Sequence, residues 1–472
     1  MNGPIRKVAT VSMILFAILL ANITFANVTR TAELTENPQN RRVTYSRFAQ
    51  DRGAILVGAT AIATSSAVKD QFKFQRAYAD GPLYAPITGY YSYMYGSTGL
   101  EASYGTQLAG SADSQFVDRL VKAAAGQTPR GGTVQTTINA KAQKAAWTGL
   151  AGRKGAVVAI DTTTGAIRAL VSTPGFDPNQ LAAHDLAAAQ QTWDQLNADP
   201  AKPMLNRATK EIYSPGSTFK LIVAAAALEA AMTPESLVDA TNYQLPNSNK
   251  WINQNCGGAQ ITLERALIVS CNPSFARLGA QLGQDALRSQ AEKFGFGEKF
   301  LPEIGSVASR FPADLDEAQT AMSSLGEYEV AATPLQMAMV AATIANNGVV
   351  MKPYLVDSVL SSDLSVLAKT QPEQAGVAVS AQTATLLRQM MVKVVQQGTG
   401  SRAKISGLEI GGKTGTAVTD YVRLPYTWFV GYAAELNTAV CVFVEDAQTS
   451  QSEATGGAVS APIAKAVWEA MR

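Results

Sequence analysis

Three short strings in this chain carry residues able to support acyl transfer without a histidine. Ser217-Thr-Phe-Lys220 sets a hydroxyl and an amine at i, i+3 spacing, which on a helix puts both side chains on one face. Serine is a weak nucleophile until a base takes its proton, and a lysine serves when burial or a nearby cation lowers its pKa. Ser270-Cys-Asn272 offers a second hydroxyl for proton relay and an amide that can both accept from and donate to a peptide. Lys413-Thr-Gly-Thr416 adds a second amine beside two hydroxyls, and Gly411 and Gly412 before it allow close approach of a ligand. Taken alone, Ser-x-x-Lys is weak: Ser66-Ala-Val-Lys69 and Ser401-Arg-Ala-Lys404 share the spacing. Each string also has a plainer reading, respectively an N-capping serine beside a snorkelling lysine, a helix-end cap and a turn lysine. Context separates Ser217 from the other two. Tyr213-Ser-Pro-Gly216 forms a turn before it, and Phe219, Leu221 and Ile222 would desolvate Lys220.

Positioning these residues requires a packed α/β body. Residues 217–232 are Ala-rich and apolar almost all round, as in a helix buried at the centre of a domain. Residues 155–160 and 166–171 flank a Thr-rich turn ending at Gly165 and predict a β-hairpin. Further helices are expected over 263–269, 333–346 and 381–397, the last stopped by Gly398. Strands are expected over 428–433 and 438–444, with a closing helix over 463–471. Before this body, 84–95 is rich in Tyr, Gly, Pro and Ser and suggests turns and short strands, and 126–132 is the best linker candidate. No internal repeat is present.

Composition narrows the class. Lys+Arg (39) and Asp+Glu (37) nearly cancel to +2 over 472 residues, leaving no electrostatic footprint for nucleic acid. One histidine and three cysteines cannot assemble a zinc or iron–sulfur site. A Ser-His-Asp triad could use only His184, which lies in an Ala/Gln/Asn-rich segment and reads as a surface histidine. Residues 8–29 carry no charge and follow Arg6 and Lys7. They predict a transmembrane anchor with 1–7 cytoplasmic and the body outside. A signal peptide cleaved after Thr24-Phe-Ala26 is the competing reading, although the apolar run exceeds a usual signal core.

The order Ser-x-x-Lys, Ser-x-Asn, Lys-Thr-Gly is similar to that of penicillin-recognising serine acyltransferases. Other segments resemble class B high-molecular-weight penicillin-binding proteins, among them Arg52-Gly53, Gly99-Leu-Glu101, Gln143, Asn206-Arg207, Phe294-Gly-Phe-Gly297, Thr333-Pro-Leu-Gln336 and Gly398-Thr-Gly400. The modest length and single short pre-catalytic region are most similar to the actinobacterial A-type members. The resemblance implies an α+β penicillin-binding transpeptidase fold over 132–472, with a central antiparallel sheet between helices. An elongated pedestal or dimerisation-type domain is implied over 30–131.

It also implies roles. Ser217 would attack the penultimate D-alanine carbonyl of a stem peptide, with Lys220 as base. Ser270 would relay a proton to the leaving amine, Lys413 would hold the charge of the network, and Asn272 would bind the peptide backbone. Thr414, Gly415 and Thr416 would bind substrate, with the terminal carboxylate on the two threonines. The backbone N–H groups of Ser217 and Thr416 would form the oxyanion hole. A β-lactam would leave a slowly hydrolysed ester on Ser217.

No metal or cofactor is expected. Expected partners are D-Ala-D-Ala stem peptides, β-lactams, the membrane, a glycan polymerase and division proteins, with a septal role. A β-lactamase, a D,D-carboxypeptidase and a β-lactam sensor or division scaffold share the fold. The anchor and the pre-catalytic region over 30–131 set the first apart, and the intact motif set argues against pure scaffolding. Outside the cytoplasm cysteines tend to pair. Cys256 and Cys271 are the expected disulfide, leaving Cys441 buried and free in a strand.

Overall fold

The computed structural model describes residues 2–29, 48–115, 130–417, 425–449 and 454–472. Helix α1 (Asn2–Thr29) is long and apolar enough to cross a bilayer. It begins before the predicted apolar stretch because Pro4 sits in the first turn, where its missing N–H costs no helical bond.

The body is built around two large sheets, beside four two-stranded ribbons among the described residues. The first begins with β1 (Ile55–Val57), β2 (Thr60–Ala67) and β3 (Phe74–Tyr78). It continues with β4 (Thr133–Thr136), which pairs parallel to β1. The second contains β5 (Gly155–Asp161) and β6 (Ile167–Thr173), which form the predicted antiparallel hairpin. A later hairpin, β7 (Val356–Leu360) with β8 (Val366–Lys369), returns to the first sheet and gives the strand order β8-β7-β4-β1-β2-β3. The division drawn at 131/132 is therefore linear only, because two stretches of the later region complete the earlier region's sheet. Of the linker candidate, 126–129 lie outside the described residues. Gly131 and Gly132 are pinned by backbone bonds to Asp51 O (2.8 Å) and Gln107 O (2.9 Å).

Three more strands finish the second sheet: β9 (Ile410–Ala417), β10 (Tyr426–Ala433) and β11 (Thr438–Val444). Its order is β9-β10-β11-β5-β6, antiparallel throughout, with β9 at one edge. Both faces are covered, so the strands read as continuous apolar runs whose alternate residues enter different cores. Ala439, Cys441 and Phe443 join the larger cluster, while Val440, Val442 and Val444 join the smaller. Helices α2 (Ala140–Leu150) and α8 (Ala461–Met471) cover the second face. The first face meets a helical lobe that includes α3 (Lys220–Glu229), α4 (Leu263–Ile268), α5 (Asn272–Leu282), α6 (Pro334–Ala345) and α7 (Ala381–Gln397).

Three local expectations change. Residues 84–88 are helical, within Gly81–Thr88, because Pro82 is preset for the first turn. Helix α3 is shorter than 217–232: a 3-10 turn (Gly216–Thr218) precedes it, and Ala231 turns left-handed (φ 66°) after it. His184 is no loose surface group. Its ring packs 4.5 Å from Phe72, its Nδ1 lies 2.5 Å from Asp70 Oδ2, and its side chain is 15% exposed.

Candidate active site

Ser217 sits in the 3-10 turn that feeds α3, at the seam between the helical lobe and the edge strand β9. The turn is fixed from several sides. Gly216 N donates to Gly326 O (3.0 Å), Ser214 Oγ donates to the same carbonyl (2.6 Å), and Trp428 Nε1 donates to Ser214 O (2.9 Å). Gly216 has φ 51°, and a Cβ there would lie 2.9 Å from Thr416 O. Only glycine lets the turn of Ser217 and the strand of Thr416 come this close.

From Ser217 the chain enters α3, whose residues 220–228 are all buried. Lys220 is 0% exposed. Its Nζ donates to Ser270 O (2.8 Å) and Asn272 Oδ1 (2.5 Å) and lies 3.3 Å from Ser270 Oγ. Burial, then the Lys413 cation, hold its pKa well below the usual lysine value, against a pull upward from Glu327. The Ser217 hydroxyl is not among the partners of Lys220 in this resting arrangement, so spacing alone did not place that proton path.

The second motif lies where α4 gives way to α5. Ser270 takes a left-handed conformation (φ 58°), and Cys271 N donates back to Ala266 O (2.8 Å). This reversal aims Ser270 Oγ at both amines. Lys413, on β9 and 0% exposed, donates to Ser270 Oγ (2.8 Å) and Thr414 O (2.9 Å). Burial pushes its pKa down to about 7.

A cleft of about 430 Å³ opens over these groups, and Ser217, Ser270, Asn272, Thr414 and Thr416 line it. Gly415 does not: it packs against Pro215 and Thr218, where a Cβ would be 2.9 Å from Pro215 O. Its strand neighbours face the cleft because side chains alternate along β9. The other two Ser-x-x-Lys strings stay apart, with Ser66, Lys69, Ser401 and Lys404 all exposed.

Two residues were missed from the sequence. Gln254 Oε1 accepts from Asn272 N (2.8 Å) and so holds the second motif from a loop 18 residues upstream. A disulfide between Cys256 and Cys271 (Cα–Cα 5.6 Å) ties that loop to the motif, and Cys441 is buried and free. Proximity to Cys256 was the available signal for Gln254. Thr399 shares a 2.6 Å hydrogen bond with Thr414, which gives the Gly398-Thr-Gly400 string a position beside the cleft. Among the described residues no cluster of His, Cys, Asp and Glu could hold a metal ion.

Comparison with known proteins gives the chain a family. Residues 155–469 match the model of the penicillin binding protein transpeptidase domain, and 52–134 match that of the penicillin binding protein A dimerisation domain. The chain is 41% identical to the peptidoglycan D,D-transpeptidase PbpA of Mycolicibacterium smegmatis, covering 99% of this chain and 98% of that protein. It superposes on penicillin-binding protein A from M. tuberculosis in its penicillin G acyl-enzyme complex with TM-score 0.85 and 40% identity, over 89% of this chain and 99% of that one. The ceftriaxone acyl-enzyme complex of the same protein gives TM-score 0.87 at 40% identity, over 90% and 99%.

Proposed function

The chain belongs to the penicillin-binding protein transpeptidase family, and on that premise we propose that it is a peptidoglycan D,D-transpeptidase acylated at Ser217 by D-Ala-D-Ala stem peptides and by β-lactams. One observation carries the reading. Hydrogen-bond contacts run unbroken from Lys413 Nζ through Ser270 Oγ to Lys220 Nζ, with both amines buried.

The chemistry follows from donor accounting. A neutral amine has two N–H donors and one lone pair. Ser270 O and Asn272 Oδ1 take the two N–H groups of Lys220, leaving its lone pair, 3.3 Å from Ser270 Oγ, for whichever of the Ser270 and Ser217 hydroxyls brings its proton. Burial keeps that amine neutral enough to accept the Ser217 proton as substrate seats the serine. Catalytic hydrogen bonds commonly tighten only in the substrate complex. Ser217 Oγ then adds to the penultimate carbonyl. The backbone N–H groups of Ser217 and Thr416 receive the oxyanion, each donor contributing about 3 kcal/mol. Ser270, poised between the two lysines, passes the proton to the departing D-alanine nitrogen. Thr414 and Thr416 hold the carboxylate of that leaving group, and Asn272 holds the peptide backbone. An amine from a neighbouring peptide then takes the acyl group.

The same reading places the body outside the cytoplasm, anchored by the uncleaved helix α1 with Arg6 and Lys7 on the inner side. A disulfide suits that compartment. The division into 1–7, 8–29, 30–131 and 132–472 is retained for the linear chain. A glycan polymerase and division proteins are the proposed partners, at the septum.

The test is covalent. The protein is incubated with a fluorescent penicillin, digested, and the adduct located by mass spectrometry. A stable adduct on Ser217, absent from Ser217→Ala, is expected; an adduct on another serine, or rapid release, sinks the proposal.

A further inference from the structure

Deacylation reverses the geometry of acylation. The incoming amine must occupy the place the D-alanine amine has left, so the acceptor subsite begins beside Thr414 and Thr416. Residues 455–457 run alongside β9, and a Cβ on Gly456 would lie 2.5 Å from Gly415 O, one on Gly457 2.4 Å from Thr399 O. Thr455, at the start of this segment, lines the active-site cleft on one side and a second cavity of about 660 Å³ on the other.

Two guanidinium groups, Arg153 and Arg402, line that second cavity. Arg153 is held by its own helix end: Nε donates to Leu150 O (3.0 Å) and Nη2 to Gly149 O (2.7 Å). Arg402 Nη1 donates to Ala458 O at 3.4 Å. Among the described residues neither guanidinium pairs with a carboxylate. Pro462, Ile463 and Ala466 add apolar lining. Arg153 spends its Nε/Nη2 edge on the helix carbonyls, so its Nη1 end and the Arg402 guanidinium are the cationic donors that suit a carboxylate-bearing chain.

We propose, resting on the transpeptidase reading, that this cavity is the subsite for the acceptor strand, with Arg153 and Arg402 binding carboxylates of the amine-bearing peptide. The leaving D-alanine is itself an amine beside a carboxylate. An acceptor with the same pattern sets that carboxylate on Thr414 and Thr416, and its remaining acidic groups pass Thr455 to the two arginines. In the step, the amine nitrogen bonds to the acyl carbon and the ester bond to Ser217 Oγ breaks. The amine proton returns to Ser217 Oγ through Lys220.

The full-length protein in detergent is given a thioester donor and, as acceptor, the tripeptide L-Ala-γ-D-Glu-meso-diaminopimelate or a form amidated at every carboxyl except the one beside the reacting amine. Arg402→Gln and the double variant with Arg153→Gln should raise KM for the free-acid acceptor by about tenfold or more. KM for the amidated acceptor and the rate of fluorescent-penicillin labelling should stay unchanged. Arg402→Gln guards against a folding defect from losing the Arg153 contacts. A free-acid KM that moves less than twofold, an equal shift for the amide, or a wild type with no preference for the free acid overturns the proposal alone. Loss of penicillin labelling at Ser217 in the wild type overturns the transpeptidase reading and this one with it.

Discussion

Lys413 donates a 2.8 Å hydrogen bond to the Ser270 hydroxyl across the seam between the sheet edge and the helical lobe. That contact joins residues 143 positions apart and places one hydroxyl between two buried amines. Its removal isolates the amines. Ser270→Ala should slow penicillin acylation by about 10²-fold or more, the range for loss of a positioned proton carrier, with thermal stability little changed. Stopped-flow acylation at fixed penicillin concentration measures it, and an unaltered rate would remove Ser270 from the relay.

Lys220→Met keeps most of the buried volume and deletes the amine. Acylation should fall by about 10²–10⁴-fold, the usual contribution of a positioned base. Stability should hold or rise, because an amine that burial holds far below its ordinary pKa costs free energy in the fold. Calorimetry beside labelling separates the two effects.

Lys413 makes stability depend on pH. Burial lowers its pKa to about 7, against about 10.4 in the unfolded chain. Between those values the unfolded state binds the extra proton, so stability rises with pH across that window and the contribution is level below it. The slope is at most about 1.4 kcal/mol per pH unit. Urea midpoints from pH 7 to 9.5 should climb more steeply in the wild type than in Lys413→Met. Parallel curves would place this amine's pKa elsewhere.

Gln254→Ala leaves the Asn272 N–H without its 2.8 Å acceptor. An unpaired N–H in a half-buried site costs about 1–3 kcal/mol. Part of that cost appears as a looser second motif and acylation about tenfold slower. Gln254→Glu, which retains the acceptor, should recover most of the rate. If both variants label like the wild type, Gln254 has no positioning role.

The Cys256–Cys271 bridge closes a loop of 15 residues in sequence separation, a contribution of about 3 kcal/mol in the chain-entropy account. Alkylation of unfolded, unreduced protein should find one thiol, Cys441, and reduction should both lower Tm and slow acylation. Three thiols would dissolve the bridge.

Much of this molecule is local and therefore legible along the chain. The hairpin of 155–173, helix α7 (Ala381–Gln397) and strand β11 (Thr438–Val444) declare themselves through periodicity, turn residues and a stopping glycine. The three motif strings named the side chains proposed to carry chemistry, because hydroxyl, amine and amide functions are written in residue type. Other features depended on distance through space. The order of strands lets 356–369 complete a sheet begun at 55. The left-handed turn at Ser270 directs its hydroxyl to Lys413, and Gln254 reaches Asn272 through a side chain. Sequence spacing offered Ser217 as the partner of Lys220; packing gave that amine Ser270 and Asn272. A hydrogen bond is decided by the last few ångströms of approach, and those are set by how whole elements pack, which no window of neighbouring residues contains.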